Sequence, residues 1–324
     1  MNQHRVRIYE QGAPDVMRYE PAPAAIGTPA RGQVRLRQDA AGLNFIDTMF
    51  RDGTIGVTLP FNMGVEGAGV IEEVGEGVTG FAAGDRVAYF FSFGAYAKVR
   101  MIEADVLVKL TSDVTTETAA ALLTKGLTAW MLLKRVHNTK AGDTILVHGA
   151  AGGVGSLVTR WAKALGATVI ATVGSASKIP LVRAHGIEHV LDASAADLAD
   201  QVRAIAPGGV DVVFEFVGQA TFAQSILALR DGGHLVHVGN ASGSPQQNFQ
   251  DQLAQRGIRY TKPATAQYVN SRESLDESSR DLFATWRAGV FGDVTPVRYA
   301  MSDVVRAHQD LAARRIAGPA ILVP

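Results

Sequence analysis

Apolar residues fall into short runs and into helical spacing along this chain, and both patterns meet in the segment 145–173. An apolar run over 145–148 precedes apolar residues spaced three to four apart over 156–165, and a second β-branched run covers 167–173. Short β-branched runs favour strands, and a period near 3.6 residues favours a helix. The pattern therefore predicts a strand, helix, strand unit with a glycine-rich turn after its first strand.

The same alternation continues after residue 178. The apolar spacing predicts helices over 180–185, 197–205 and 222–229, and strands over 211–216, 234–238 and 258–261. Strands that alternate with helices form parallel sheets covered on both faces. We therefore expect a doubly wound parallel sheet in the α/β part of the chain.

The first part of the chain has a different, β-rich pattern. Strand-like runs over 6–9, 33–37, 69–74 and 86–90 are separated by glycine and proline, which predicts a small β-barrel or sandwich. A helical segment over 116–135 leads into the α/β part. After it, the tail is predicted to form helices over 279–288 and 302–315 and a closing strand over 321–323.

The turn after the strand at 145–148 has the spacing of a dinucleotide fingerprint, Ala150-x-Gly152-x-x-Gly155, with alanine in the first glycine position. Gly152 lets the backbone approach a pyrophosphate, and Gly155 lets the helix pack closely on the strand. The helix N-terminus adds unpaired amides and positive dipole charge. We expect Gly152, Gly153, Val154 and Gly155 to contact a dinucleotide; the alternative is a glycine-rich turn between packed elements.

The residues that follow the second strand favour one dinucleotide over the other. NAD sites place an acid about 20 residues past the glycines, where it accepts from the ribose hydroxyl and repels a 2′-phosphate. Gly174, Ser175 and Lys178 stand there instead, without an acid. This chemistry favours NADPH over NADH. The alternative is that Lys178 is only a solvated residue in the first turn of the next helix.

Composition excludes several classes of protein. The 324 residues include 31 basic and 31 acidic side chains without a run of one sign, so nothing predicts a nucleic-acid partner. No apolar stretch reaches membrane-spanning length and none resembles a leader, so we expect a cytoplasmic protein without a membrane partner. The chain has no cysteine, which excludes thiolate zinc sites, and its eight histidines show no spacing typical of a metal site.

Six motifs in order along the chain carry a family resemblance. They are GLNFIDTMFRDG (42–53), GVEGAGVIEEVGEGV (64–78), AGDRVAYF (83–90), LTKGLTAW (123–130), HGAAGGVG (148–155) and VGNASG (238–243). Together they resemble the zinc-free quinone oxidoreductases, relatives of ζ-crystallin within the medium-chain dehydrogenase/reductase superfamily. Val65-Glu66 stands where zinc-dependent relatives have a His-Glu pair, which agrees with the absence of cysteine.

The resemblance implies a two-domain α/β architecture. A GroES-like β-barrel domain would comprise 1–125 and 265–324, and a Rossmann domain with a doubly wound parallel sheet would comprise 126–264. It further implies an active site in the cleft between these domains and a homodimer joined at sheet edges. The predicted strand at 258–261 is a candidate for that edge.

The resemblance also assigns site residues. Asn44 would lie near the nicotinamide and the substrate, with Asp47 and Thr48 in the same motif, and Met49 stands where relatives commonly have tyrosine. Alternatively, Asn44 is a turn residue and Asp47 a structural carboxylate. The resemblance further assigns to the cofactor Lys125, Thr128, Val217, Gly218, Gly239, Asn240 and Arg314, although Arg314 is equally well explained as an exposed residue at a helix end.

Three functions fit these features. The first is an NADPH:quinone oxidoreductase that transfers hydride without a metal to a quinone or another small electrophile. The second is a zinc-free enone or enoyl reductase of the same superfamily, because both reactions need only a positioned nicotinamide and an oxyanion donor. The third is a non-catalytic NADPH sensor, or a crystallin-like or RNA-binding protein; the balanced charge argues against the RNA-binding alternative alone.

Lys178 offers a direct test of the cofactor assignment. Relatives often have a tyrosine near the 2′-phosphate where this chain has Ala193, so Lys178 is left as the cationic contact. We expect Lys178→Ala to raise the KM for NADPH and to leave the KM for NADH almost unchanged, as steady-state kinetics with both cofactors would show. Equal effects on both constants would contradict a contact between Lys178 and the 2′-phosphate.

Overall fold

The computed structural model describes residues 3–23, 26–245 and 248–324. Its strands are β1 His4–Ile8, β2 Arg18–Pro21, β3 Gln33–Leu43, β4 Phe61–Asn62, β5 Gly67–Val74, β6 Arg86–Tyr89, β7 Val99–Glu103, β8 Leu107–Lys109, β9 Thr144–Val147, β10 Thr168–Val173, β11 His189–Asp192, β12 Val210–Glu215, β13 Leu229–His237, β14 Arg259–Thr261, β15 Val297–Ala300 and β16 Ala320–Val323. Its α-helices are α1 Phe45–Asp52, α2 Thr116–Trp130, α3 Gly153–Ala164, α4 Ile179–Ala184, α5 Leu198–Ile205, α6 Phe222–Ala228, α7 Gln250–Gln255, α8 Thr265–Tyr268, α9 Arg272–Arg287 and α10 Val304–Ala312.

The chain forms two compact units. The first unit consists of Met1–Thr124, Ser271–Ser279 and Asp293–Pro324, and the second of Lys125–Asn270 and Arg280–Gly292. Contacts therefore assign Lys125, 265–270 and 280–292 to the second unit, whereas the sequence prediction gave 1–125 and 265–324 to the first domain. The domain boundaries proposed from the sequence stay a prediction.

The second unit is built on one six-stranded sheet. The strand order is β11-β10-β9-β12-β13-β14, and every neighbouring pair in it is parallel. The chain crosses from β10 and β11 on one side of β9 to β12 and β13 on the other, so the order reverses at β9. The predicted doubly wound parallel sheet is confirmed.

Apolar strand interiors explain why this sheet forms. Leu146, Ile170, Val213 and Leu235, from the four inner strands, are fully buried in one cluster. Strands covered on both faces need near-continuous apolar runs, and the sequence shows such runs here. Burying one such side chain contributes about 1.5–3 kcal/mol.

The first unit is β-rich, as predicted. A seven-stranded sheet has the path β15-β16-β3-β5-β6-β8, with β7 paired to β3, and a separate three-stranded sheet has the order β2-β1-β4. The eleven-residue β3 is its central strand, since it pairs antiparallel with β5, β7 and β16. Val34, Leu36 and Ala41 of β3 are buried in the core of this unit.

Several elements extend beyond their predicted ends, and β3 and α9 do so by the largest margins. β3 was predicted over 33–37 but continues to Leu43, because Ala41 pairs with Leu322 at the far end of the chain. α9 was predicted from residue 279 but starts at Arg272, because Ser271 and Ser274 pair reciprocally at its start: the Ser274 N–H donates to the Ser271 hydroxyl at 3.2 Å and the Ser271 N–H to the Ser274 hydroxyl at 3.0 Å. The helix predicted over 116–135 continues past Trp130 as a π-helix, Met131–Val136.

His308 of α10 is a fully buried histidine in the first unit. The Tyr96 hydroxyl donates to Asp47 Oδ2 at 2.9 Å, and His308 Nε2 lies 3.3 Å from the Tyr96 oxygen. Tyrosine has one hydroxyl hydrogen, so the contact with His308 requires the ring to donate from Nε2. Burial, and secondarily the positive charge of Arg51, lower the pKa of His308 to about 3. The ring is therefore neutral in the folded protein.

This burial predicts an acid-sensitive first unit. An unfolded histidine binds a proton near pH 6.5 and folded His308 near pH 3, so the unfolded state holds more protons between these values. The contribution of neutral His308 to the free energy of unfolding is therefore fully present above pH 6.5. Below that pH the free energy of unfolding falls by up to about 1.4 kcal/mol for each pH unit.

We expect His308→Gln to flatten this dependence between pH 6.5 and pH 4.5, as urea unfolding followed by circular dichroism would measure. Thr54→Ala, at an exposed site in the same unit whose side chain does not titrate, is the control and should keep the wild-type slope. A His308→Gln variant with the wild-type slope would contradict the assignment.

Candidate functional site

Asn44 joins the end of β3 to the start of α1 in the first unit. Its backbone is extended, with φ −125° and ψ 150°, as is usual for a residue that precedes a helix. Asp47, three residues on, accepts a hydrogen bond from the Asn44 N–H at 2.9 Å, which satisfies one unpaired amide of the helix start. Gly53 ends the helix in the left-handed region at φ 91°.

The Asn44 side chain is held by a buried glutamate. Asn44 Nδ2 donates to Glu66 Oε2 at 2.8 Å and lies 3.4 Å from the Gly42 carbonyl, and Glu66 Oε1 accepts from the Thr124 N–H at 2.6 Å. A side chain at Gly42 would collide with Glu66 and with the Ala120 carbonyl. Glu66, fully buried, was not among the predicted site residues, although it stands in the glycine motif where zinc-dependent relatives also have glutamate.

The other residues of this motif have well-defined partners. The fully buried Asp47 receives the Tyr96 hydroxyl and the Asn44 N–H on its Oδ2 atom. Burial, with the Asp47 carboxylate second, raises the pKa of Tyr96 well above its ordinary value. Thr48 donates its hydroxyl to the Phe45 carbonyl at 2.6 Å within α1, and Met49 is half-buried. These contacts favour the structural interpretation of Asp47.

A cluster of phenylalanine rings in the first unit was missed from the sequence. The Phe93 ring meets Phe50 edge-on and packs against Phe61, both at 5.2 Å between centroids, and Phe91 lies 5.7 Å from it. Phe91 and Phe93 are 38% and 46% exposed, and Phe91 takes a left-handed φ of 52°. Exposed aromatic surface is typical of binding sites. Its signal was the run Phe90-Phe91-Ser92-Phe93.

In the second unit the glycine-rich turn has the geometry that its spacing predicts. Gly152 N donates to the Gly149 carbonyl at 2.9 Å, and α3 begins at Gly153. A side chain at Gly155 would collide with Gly149, which explains the requirement for glycine there. Lys125 lies beside the turn, because a Cβ atom at Gly153 would be 3.0 Å from Lys125 Cδ.

Two loops after β12 and β13 bring four more predicted residues together. Ser242 N donates to the Val217 carbonyl at 2.7 Å, and Gln219 N donates to the Gly243 carbonyl at 2.9 Å. Gly218, at φ 89°, leaves no room for a side chain against Gly243. Val217, Gly218, Gly239 and Asn240 therefore form one double loop at the carboxyl ends of neighbouring strands, where ligands bind in open α/β sheets.

His237 orients the Asn240 side chain in this double loop. His237 Nε2 lies 2.7 Å from Asn240 Oδ1, and His237 Nδ1 lies 2.8 Å from the Tyr260 hydroxyl. Because an amide oxygen only accepts, Nε2 carries the proton and Nδ1 accepts from Tyr260. Burial lowers the pKa of His237, which keeps the ring neutral.

The segment after β10 carries the predicted 2′-phosphate residues. Gly174 and Ser175 are exposed and Lys178 is half-buried, and the Ser175 and Ser177 hydroxyls lie 2.8 Å apart. Asp192, at the end of β11, pairs in register with Val173 and was missed from the sequence. One oxygen of its carboxylate accepts from both the N–H and the hydroxyl of Ser194, and these bonds lower its pKa.

Thr128 and Arg314 are the remaining two residues that the sequence assigns to the cofactor. The Thr128 hydroxyl lies 3.0 Å from that of Thr265 in the second unit. Arg314 belongs to the first unit, where it is exposed just after α10 at φ 56°. Its cofactor role stays a prediction, as do the roles of all the site residues assigned from the sequence.

Within 3–23, 26–245 and 248–324, no group of three or more histidine, aspartate or glutamate side chains is arranged to hold a metal ion. Over the same ranges, no helix combines the length and the apolar character that crossing a membrane requires.

Family models match both parts of the chain. Residues 30–112 match the alcohol dehydrogenase GroES-like domain, and residues 153–280 match the zinc-binding dehydrogenases. These matches confirm the predicted fold class of a GroES-like domain with a Rossmann domain.

Full-length relatives are closely similar. A quinone oxidoreductase of Pseudomonas aeruginosa is 39% identical over 324 residues, and the alignment covers 99% of each chain. A 2-haloacrylate reductase of a Burkholderia species is 37% identical over 328 residues, with 98% of each chain covered. The crystal structure of Escherichia coli quinone oxidoreductase complexed with NADPH matches with a TM-score of 0.94 at 35% identity, over 99% of this chain and 100% of that one. The chain therefore belongs to the quinone oxidoreductase family of the medium-chain dehydrogenase/reductase superfamily.

Proposed function

We propose that the protein reduces quinones with NADPH by direct hydride transfer and needs no metal. The observation that carries this proposal is the full-length similarity to quinone oxidoreductases, one of them in complex with NADPH. The composition agrees, because a chain without cysteine cannot supply the thiolate ligands that zinc-dependent relatives use.

The residues of the second unit fit NADPH. The amides at the start of α3 suit the pyrophosphate, and collisions at Gly155 and Gly218 explain why these positions bear no side chain. Ser175 and Lys178 suit the 2′-phosphate. The negative charge of Asp192 disfavours the 2′-phosphate, although one oxygen of its carboxylate already accepts two hydrogen bonds from Ser194. The preference for NADPH therefore depends on Ser175 and Lys178.

Bound NADPH would supply the hydride, and the chain would orient the substrate and stabilise the charge that develops on its oxygen. Asn44 suits the second task because its amide is a donor at any ordinary pH. One Nδ2 hydrogen goes to Glu66; the other meets the Gly42 carbonyl at 3.4 Å, a contact long enough for a substrate oxygen to replace. A quinone needs little further help, because its reduced product is aromatic.

The exposed phenylalanine cluster supports a flat, apolar substrate. Phe91 and Phe93 present ring surface in the same unit as Asn44, and the Ser92 N–H between them donates to the Val65 carbonyl at 2.9 Å, next to Glu66. Aromatic rings pack favourably on one another in offset or edge-on arrangements.

Reduction of an activated carbon–carbon double bond is the second candidate. The observation that favours it is the 37% identity with a 2-haloacrylate reductase over 98% of both chains. Met49 also stands where quinone-reducing relatives commonly have tyrosine, so a hydroxyl donor is replaced by an adaptable apolar side chain.

A homodimer and a cytoplasmic location complete the proposal. β14 is an edge strand of the six-stranded sheet, as predicted, and an edge strand has backbone groups available for pairing with a second chain. Both statements stay predictions.

The first experiment is to measure NADPH and NADH oxidation by the purified protein with benzoquinones, naphthoquinones, 2-haloacrylates and α,β-unsaturated ketones. We expect the highest kcat/KM with NADPH and a quinone. Turnover with the unsaturated acids and ketones alone would move the assignment to the double-bond reductases, and no turnover with any acceptor would contradict the catalytic proposal.

Asn44→Ala tests the oxyanion donor. We expect kcat/KM for the quinone to fall by about 10- to 100-fold, because one preorganised donor to the developing charge is lost. Thr54→Ala is the matched control, since the exposed Thr54 hydroxyl just beyond α1 bonds only to Asp52. An Asn44→Ala protein with normal turnover would show that Asn44 serves only to hold Glu66.

A further inference from the structure

The second unit contains a buried polar network directly below the double loop. It comprises Thr172, His148, Ser225, Glu215 and Thr221, each at most 1% exposed. These residues come from β10, the turn after β9, α6, the end of β12 and the loop that follows β12. A buried polar group costs free energy unless it is hydrogen-bonded, so a network of this extent must be fully paired to be tolerated.

The hydrogen bonds run in one direction through the network. The Ser225 hydroxyl lies 2.6 Å from Glu215 Oε2, to which it donates, so it accepts from His148 Nε2 at 2.9 Å. His148 Nδ1 then accepts from the Thr172 hydroxyl at 2.8 Å. Burial lowers the pKa of His148, with Glu215 opposing, which agrees with a neutral ring. The donors of these three hydrogen bonds, from Thr172 through His148 and Ser225, are therefore all directed toward the Glu215 carboxylate.

The carboxylate also holds the backbone of the double loop. Glu215 Oε1 accepts from Val217 N at 2.7 Å and from Gly218 N at 3.0 Å, and the Thr221 hydroxyl lies 2.9 Å from both oxygens. Two consecutive amides are thus directed inward, at the left-handed Gly218. The Val217 carbonyl accepts hydrogen bonds from the N–H and the hydroxyl of Ser242 in the second loop. One side chain therefore sets the backbone course of this segment.

The strand order indicates which half of the dinucleotide this segment would meet. The glycine turn for the pyrophosphate follows β9, and the ribose of the adenosine half binds at the end of the next strand, β10. β12 lies on the opposite side of β9. The loop after β12 therefore faces the nicotinamide half, whereas Ser175 and Lys178 face the adenosine half.

We propose that Glu215 is a positioning residue for the nicotinamide half of NADPH, acting through the backbone of Val217 and Gly218. The inference rests on the proposed function, since it takes NADPH as the ligand. His148 and Thr172 connect the same carboxylate to the glycine turn, because the Ala150 N–H donates to the Thr172 carbonyl at 3.0 Å. The network thereby fixes the glycine turn after β9 relative to the loop after β12.

Calorimetric titration with two probes tests this role without turnover. Adenosine 2′,5′-diphosphate carries only the adenosine half, and NADPH carries both. We expect Glu215→Ala to raise the Kd for NADPH by about tenfold or more, as loss of charged hydrogen bonds implies, and the Kd for adenosine 2′,5′-diphosphate by less than about twofold. Glu215→Gln should recover most of the affinity, because its amide oxygen can accept both loop amides.

Two further variants keep the test decisive. Thr221→Val removes the hydroxyl at nearly constant volume and should raise the Kd for NADPH by a few-fold, which covers the case in which Glu215→Ala does not fold. Asp281→Ala removes the acceptor of the Trp130 indole N–H elsewhere in the second unit, and should change neither Kd.

An equal increase in the Kd for both probes would overturn the positioning role. Folded Glu215→Ala and Thr221→Val proteins that bind NADPH as tightly as the wild type would also overturn it. Wild-type protein that binds adenosine 2′,5′-diphosphate but not NADPH would overturn it as well. Wild-type protein that binds neither probe would instead overturn the proposed function on which the inference rests.

Discussion

A buried glutamate in each unit is the constraint on which the local placement of the predicted site residues in that unit depends. Glu66 in the first unit and Glu215 in the second are both fully buried. Glu66 accepts from the Asn44 side-chain amide and from the Thr124 N–H of α2, and Glu215 accepts from the Val217 and Gly218 N–H groups of the loop after β12. A carboxylate far from water is tolerated only when donors surround it. These donors must therefore reach the carboxylate in the folded chain, and this requirement fixes the Asn44 side chain in one unit and the Val217-Gly218 backbone in the other.

Three glycines in the predicted site motifs are required because a side chain at their positions would collide with neighbouring atoms. A side chain at Gly42 would collide with Glu66, one at Gly155 with Gly149, and one at Gly218 with Gly243. Close approach of backbone to backbone leaves room for a ligand to meet amides instead of side chains. This explains why the matching motifs are rich in glycine.

The chemistry proposed for the protein asks little of its side chains. Hydride comes from the cofactor, so the chain supplies binding, orientation and a neutral donor. Asn44 fits this requirement better than Asp47, whose Oδ2 atom is already shared by the Tyr96 hydroxyl and the Asn44 N–H. The exposed rings of Phe91 and Phe93 add apolar surface suited to a flat acceptor.

The sequence by itself determined the parallel sheet, the glycine turn and the absence of thiolate ligands, because each depends on local spacing or on composition. The runs at 145–148 and 167–173 and the spacing of Gly152 and Gly155 need no distant partner to be recognised. Only the tertiary structure decided the rest. β3 continues to Leu43 because it pairs with β16 from the end of the chain, and Asn44 becomes the residue before α1 with Glu66 against its amide. The phenylalanine cluster and the Glu215 network likewise join residues far apart in sequence. Such contacts depend on which strands become neighbours, and no local pattern of hydrophobicity contains that information.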